Sequence, residues 1–267
     1  MSSRRRSAKR MPVQSPDRLR ALAEGYLGDL ALTPELHGQA DAVRYALEGG
    51  KRVRAVICLA TVEAAGGDAE AGLPAAASLE LVHAFSLVHD DLPSLDNDAE
   101  RRGRPSVWAQ YGEAVAVLAG DALLAEAFRL ALSYPFPQVG RELAQATLGM
   151  IGGQYLDVTE SAPDEETLHR LKTGRLFAAS VGMALWVAGV AERDQTPWRA
   201  FGDELGLLFQ IVDDILDGDG YVLVHGEAGA RTRADEAALR ARECLAGIPA
   251  DTSQLEEIVD GLATRTS

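Results

Sequence analysis

The chain has 267 residues, enough for one large domain or two small ones, and its 47% hydrophobic and 25% charged residues are an ordinary balance for a soluble protein. A formal charge of −14 excludes a general nucleic-acid binder and makes any basic cluster stand out. Two cysteines, Cys58 and Cys244, supply neither a disulfide framework nor metal-ligand spacing, and both are expected to be small buried residues in a reducing cytoplasm.

Residues 1–15 open with Met1-Ser2-Ser3-Arg4-Arg5-Arg6 and no apolar core follows, so they are expected to be a disordered basic tail, not a secretory signal. From Pro16 the pattern is helical, in keeping with many alanines and leucines and only 6% aromatics. A long helix over 40–65 is broken at Gly49-Gly50 and stopped at Gly66-Gly67-Asp68. A second apolar helix runs over 73–92, with Pro74 in its first turn and Pro93 ending it. Residues 96–105 read as a polar loop, 111–132 as helix, 133–137 as loop and 140–160 as helix again. Pro163 opens a helix that carries Lys172-Thr173-Gly174 and runs toward Ala191, and 197–217 is another. Gly218 to Gly226 is glycine-rich and lacks a helical period, so it reads as a loop or short extended piece. Two helices follow, over 228–246 and 255–263. No segment alternates like a strand, and no apolar run is both long and charge-free enough to span a membrane. The expected fold is a single all-α domain over 16–267, a helical bundle.

Two aspartate clusters end long apolar runs: Asp90, Asp91 and Asp96 after 79–89, and Asp213, Asp214 and Asp217 after 205–212. Carboxylates there are costly unless neutralised. Asp213 and Asp217 share a helix face one turn apart, with Asp214 at its edge. Asp96 lies beyond Pro93, so the chain must fold back for the first three to converge. Either cluster alone reads equally as a polar helix end. Two that face each other across a bundle read as a cage for a hard divalent cation, and Mg²⁺ in particular takes phosphate oxygens among its ligands. Basic residues gather nearby: Lys51 and Arg54 after the two glycines, which would let a phosphate approach the backbone, then Arg101, Arg102 and Arg104. His83 lies seven residues before Asp90, and Lys172 is one of three lysines. Singly, each is better read as a solvated charge or a satisfied core histidine. Gly49-Gly50-Lys51 is not a nucleotide P-loop, lacking the upstream glycine and the following Ser or Thr.

In order, Gly49-Gly50-Lys51-Arg52-Val53-Arg54, the stretch His83 to Gly103, Gly152-Gly153-Gln154-Tyr155-Leu156-Asp157, Lys172-Thr173-Gly174 and Phe209 to Asp217 resemble the all-trans isoprenyl diphosphate synthases over about residues 40–217. The resemblance implies a bundle around a deep central cavity, usually a homodimer. It implies that Asp90, Asp91, Asp96, Asp213, Asp214 and Asp217 hold Mg²⁺, three ions with substrate bound, on the diphosphate of an allylic substrate (dimethylallyl, geranyl or farnesyl). It implies that Arg101 and Lys172 grip that diphosphate, while Lys51, Arg54, His83 and Arg102 bind isopentenyl diphosphate. Thr173, Gln210 and the Lys172 carbonyl would favour the allylic cation, and released pyrophosphate would take the final proton. Phe85 and Ser86, one turn below Asp90, would set product length, with C15 favoured over C20.

The chain departs from that pattern after Asp217, where a longer loop with two lysines is expected and no lysine follows Lys172. Arg231 and Arg233 are substitutes by composition only, and Ala55 stands where the family usually has proline. The leading expectation is a chain-elongating prenyltransferase. The shortened lid suggests a non-catalytic or regulatory partner subunit as the alternative. A terpene cyclase is a third reading, but it would not need Lys51, Arg54 and His83.

Overall fold

A computed structural model describes residues 15–265. The expected basic tail therefore lies outside the described residues except for Ser15. Twelve α-helices form the described part: α1 (Pro16–Gly28), α2 (Ala40–Leu47), α3 (Val53–Ala64), α4 (Ala69–Asp90), α5 (Val107–Tyr111), α6 (Glu113–Ala131), α7 (Gln138–Val158), α8 (Glu165–His169), α9 (Arg175–Val187), α10 (Thr196–Asp217), α11 (Tyr221–Ala246) and α12 (Ser253–Ala263). Helix α4 packs against α3, α6 and α9, and α10 against α9 and α11, so both acidic clusters end central helices.

Apolar residues surround α4 on every side, as a helix covered all round requires. This corrects the sequence reading on membrane spans: α4 is long and apolar enough by length and composition, but two-thirds (67%) of its most apolar window is buried inside the bundle. Its one interior acid, Glu80, is buried and paired. Glu80 accepts the Ala55 N–H at 3.0 Å, in the first turn of α3, and lies 3.8 Å from the Arg52 guanidinium. A carboxylate there satisfies an orphan donor and meets the positive helix end.

Pro74 also sits deeper than expected, because α4 begins at Ala69 with the Asp68 side chain accepting the Glu70 N–H. One residue after Pro74, the Tyr134 hydroxyl takes the place of a ladder bond. It accepts the Ala75 N–H at 3.2 Å and donates to the Ala71 carbonyl at 2.7 Å. A side chain from the α6–α7 loop thus mends the helix at the proline.

The expected loop over 96–105 contains a two-stranded hairpin, Glu100–Arg101 paired with Arg104–Pro105. Its turn residues Arg102 and Gly103 both have positive φ, as tight hairpin turns require. Two-residue strands are too short to show alternation in the sequence. The segment 218–226 is corrected as well. Only Gly218 to Gly220 form a turn, and helix resumes at Tyr221 with a kink at Gly226. The cause is Asp214, whose carboxylate accepts the Tyr221 N–H at 2.9 Å and so starts α11. Gly220 has φ +44, and a Cβ there would stand 2.1 Å from that carboxylate.

Candidate active site

A cavity of about 420 Å³ opens between α4, α7 and the start of α9. Its deep walls are apolar, with Phe85, Met150 and Leu176, and its mouth carries Arg54, His83, Asp90, Lys172 and Thr173. Lys172 and Thr173 lie on a π-turn, Arg170–Gly174, between α8 and α9. A widened turn of this kind re-aims side chains within a helix.

After Pro93 the chain folds back, and the Asp96 N–H donates to the Asp90 carbonyl at 2.9 Å. Burial pushes the Asp90 carboxyl up to about 6; Lys172 opposes the rise, and Asp96 and Asp91 add to it. Asp91 is buried and accepts from Arg101 Nε at 2.9 Å, so both are engaged with each other. In the second cluster burial, and then Asp217, raise the Asp213 carboxyl, with Arg265 and Arg54 opposing. Asp214 is placed differently from its expected role. Its oxygens accept the Gln210 amide and the Tyr221 N–H, and His169 Nδ1 lies 3.6 Å away. Asp214 is a buried helix cap here, and Gln210 faces it and a second cavity with His169 and Arg170 instead of the prenyl-sized one. The expected cage is likewise not closed. Among the described residues no three acidic, histidine or cysteine side chains converge on one point. The donor set still fits Mg²⁺. It consists of hard carboxylate oxygens, two of which, on Asp90 and Asp213, are held above their ordinary pKa chiefly by burial, and Mg²⁺ completes its shell with water and phosphate. Asp90, Asp96, Asp213 and Asp217 are the carboxylates that could hold it.

The basic residues do not gather in one place. Arg54 is buried, stacked 4.7 Å over the Phe177 ring, and Phe177 packs on Phe209 at 4.5 Å. Burial lowers the Arg54 pKa, while Glu80 and Asp213 support its charge. His83 beside it is held well below its ordinary value of 6.5 by burial and then by Arg54 and Arg102, so it is neutral. The Arg102 guanidinium lies against Gly50, where a Cβ would stand 2.9 Å from its Nη1. The glycine pair therefore admits an arginine, where a phosphate was expected. Lys51 borders a separate surface groove with Ile258, Gly261 and Leu262. Arg104 clamps the hairpin, stacked 3.6 Å over Tyr45 and paired with Glu48. Arg231 pairs with Glu227 on the exposed face of α11, away from the mouth.

Phe85 and Ser86 both line the cavity. The Phe85 ring meets His89 edge-on at 4.9 Å, and Ser86 Oγ donates to the His83 carbonyl at 2.9 Å. Three contributors carried no assigned role in the sequence reading. Asp157 pairs with the Lys172 ammonium. Gln154 lines the cavity with both amide atoms buried and unpartnered within the described residues. Phe177 supports Arg54. Asp157 and Gln154 stand in a quoted motif, which was the available signal; Phe177 had none.

An apolar helical bundle with a cavity between its helices and two central helices that end in aspartate clusters defines the isoprenoid-synthase class of fold. The polyprenyl synthetase sequence profile matches residues 39–259, and the chain belongs to that family. It is 42% identical over 193 residues to a geranylgeranyl diphosphate synthase of Cyanophora paradoxa, covering 66% of this chain and 64% of that protein. It is 34% identical to a farnesyl diphosphate synthase of Bacillus subtilis, covering 83% and 86%. Several curated relatives are matched over less than two-thirds of their length, such as the 64% for the Cyanophora protein. A crystal structure of a geranyltransferase from Legionella pneumophila superposes with TM-score 0.84 at 31% identity, covering 94% of this chain and 96% of that one.

Proposed function

We propose that the chain catalyses Mg²⁺-dependent head-to-tail condensation of isopentenyl diphosphate with an allylic diphosphate. The products are a short-chain all-trans prenyl diphosphate and pyrophosphate. The observation that carries this reading is a single cavity with apolar walls below and Arg54, His83, Asp90 and Lys172 at its mouth. Bound Mg²⁺ would supply neutralisation of the allylic diphosphate so that it can leave. Asp90, Asp96, Asp213 and Asp217 hold the metal. Arg101 and Lys172 exchange their present carboxylate partners, Asp91 and Asp157, for phosphate oxygens. Lys51, Arg54, His83 and Arg102 orient isopentenyl diphosphate; neutral His83 contributes a hydrogen bond, not a charge. Thr173 Oγ1 and the Lys172 carbonyl offer oxygens to the developing cation.

Phe85 favours C15 over C20, because its ring stands in the cavity wall one turn below Asp90. Purified full-length protein incubated with Mg²⁺, isopentenyl diphosphate and each of dimethylallyl, geranyl and farnesyl diphosphate should give a C15 main product. Phe85→Ala should shift it by one or more five-carbon units. No elongation from any primer defeats the reading of the chain as an elongating enzyme, and unchanged product length moves the floor away from Phe85.

The chain acts as a cytoplasmic homodimer. Val117 and Leu118 on α6 and Leu148 on α7 are exposed, while Ile151, Tyr155 and Val158 of α7 are exposed along the open side of the cavity. Apolar exposure of this kind on a soluble protein supports a partner surface. Sedimentation at micromolar concentration should give twice the chain mass, and Leu118→Asp should give monomer.

A further inference from the structure

Glycine in the interior of a helix is unfavourable beside alanine, so its presence there asks for a reason. Gly120 stands inside α6 and is buried, and the reason is the imidazole of His89. A Cβ on Gly120 would stand 2.1 Å from His89 Nε2 and 2.3 Å from its Cδ2. The ring therefore fills the space that a side chain of α6 would take. The same Nε2 lies 3.1 Å from the Val117 carbonyl of α6, so the proton sits on Nε2 and is donated to that oxygen. On its other side His89 lines the cavity and meets the Phe85 ring edge-on, with 4.9 Å between ring centroids, one turn down α4. Phe85 is buried and lines the same cavity. Contact thus runs without a break from the backbone of α6 through His89 to the ring in the cavity wall.

We propose that His89, seated on Gly120, is a positioning residue for product length, holding the Phe85 ring in place from α6; this rests on the reading of the cavity as the site of chain elongation with Phe85 in its wall. Wedged between α6 and Phe85, the imidazole leaves the phenyl ring no room to turn toward α6, and the cavity keeps its depth. Removing the imidazole opens space beside Gly120 into which the Phe85 ring turns, and the cavity deepens. A methyl group on Gly120 drives the imidazole against Phe85 and into the cavity, which becomes shallower. The two changes act in opposite directions on one volume. Combined, they offset each other, because the methyl fills part of the space that the imidazole leaves.

The test is the product distribution of full-length wild-type, Phe85→Ala, His89→Ala, His89→Gln, Gly120→Ala and His89→Ala/Gly120→Ala proteins given Mg²⁺, dimethylallyl diphosphate and isopentenyl diphosphate. Chromatography of the dephosphorylated products gives the ratio of longer to shorter chains. His89→Ala should raise that ratio about fivefold or more, and Gly120→Ala should lower it by about the same factor. The double variant should return toward wild type, a coupling that two independent folding defects do not produce. His89→Gln, which keeps a donor at the reach of Nε2, should lie between wild type and His89→Ala. Thermal melting registers a folding defect, and if Gly120→Ala melts early the His89 variants carry the test. A wild-type ratio in His89→Ala, while Phe85→Ala shifts, overturns the inference, as does a shift of His89→Ala and Gly120→Ala in the same direction. Unchanged length in Phe85→Ala, or no elongation by the wild-type protein, overturns the reading of the cavity itself.

Discussion

Gly152 and Gly153 are sequence neighbours that face different surroundings. A Cβ on Gly153 would stand 2.6 Å from the Lys172 amide nitrogen and 2.9 Å from its Cα, while nothing lies within 4 Å of one on Gly152. Backbone cannot rotate away as a side chain can. Gly153→Ala should therefore displace the π-turn, destabilise the fold by about 1–3 kcal/mol and cut kcat at least tenfold. Gly152→Ala should gain up to about 1 kcal/mol of helix stability. Urea unfolding and steady-state assays distinguish the two, and a fully active Gly153→Ala protein would show that the turn yields. His83 gives a prediction of another kind. Its folded pKa lies well below 6.5, so the unfolded chain binds a proton first as pH falls. Its contribution to stability is intact above about 6.5 and is withdrawn below it. Its ring resonances should stay those of a neutral imidazole at pH values where an exposed histidine is already charged. At this scale the sequence disclosed which aspartates matter but not what each does. The four-residue Gln210–Asp214 spacing was a legible sign of pairing within a helix. Arg102 against Gly50 was not legible, because a contact across half a hundred residues leaves no local pattern.

Helix α4 depends on a residue outside it. The Tyr134 hydroxyl bridges Ala71 and Ala75 beside Pro74, and burial pushes its pKa up, so it remains a proton donor. Tyr134→Phe keeps the ring and leaves the N–H of buried Ala75 and the carbonyl of exposed Ala71 without this bridge. The expected loss is about 1–2 kcal/mol, read as a lower urea midpoint with unchanged slope. A smaller change would mean that the two backbone groups pair directly once the hydroxyl is gone. The helices carrying the clusters were readable because long apolar runs set their length and the aspartates mark their ends. The start of α11 was not. Glycine-rich sequence has no period, and the signal that begins this helix is a carboxylate seven residues upstream, meaningful only after the chain has turned at Gly218 to Gly220.

The all-α architecture followed from composition and periodicity, whereas the assembly of the mouth required helices far apart in the chain. Arg54 comes from α3, Asp90 from α4 and Lys172 from the turn before α9, and Phe177 joins Arg54 to Phe209 of α10. The apolar character of α4 also bears on how the protein is made. Its 22 residues must wait for α9, synthesised some eighty residues later, before the bundle closes over them. At ordinary translation rates that interval lasts on the order of ten seconds. During it a newly made chain displays a segment that membrane-targeting factors and chaperones read as a client. Ribosome-bound chains stalled before residue 160 should be captured by such factors, and chains stalled well beyond residue 217 should be released. No capture at the shorter length would mean that α6 alone shields α4. A helix chosen for a soluble core thus makes the order of synthesis part of what keeps this protein out of the lipid.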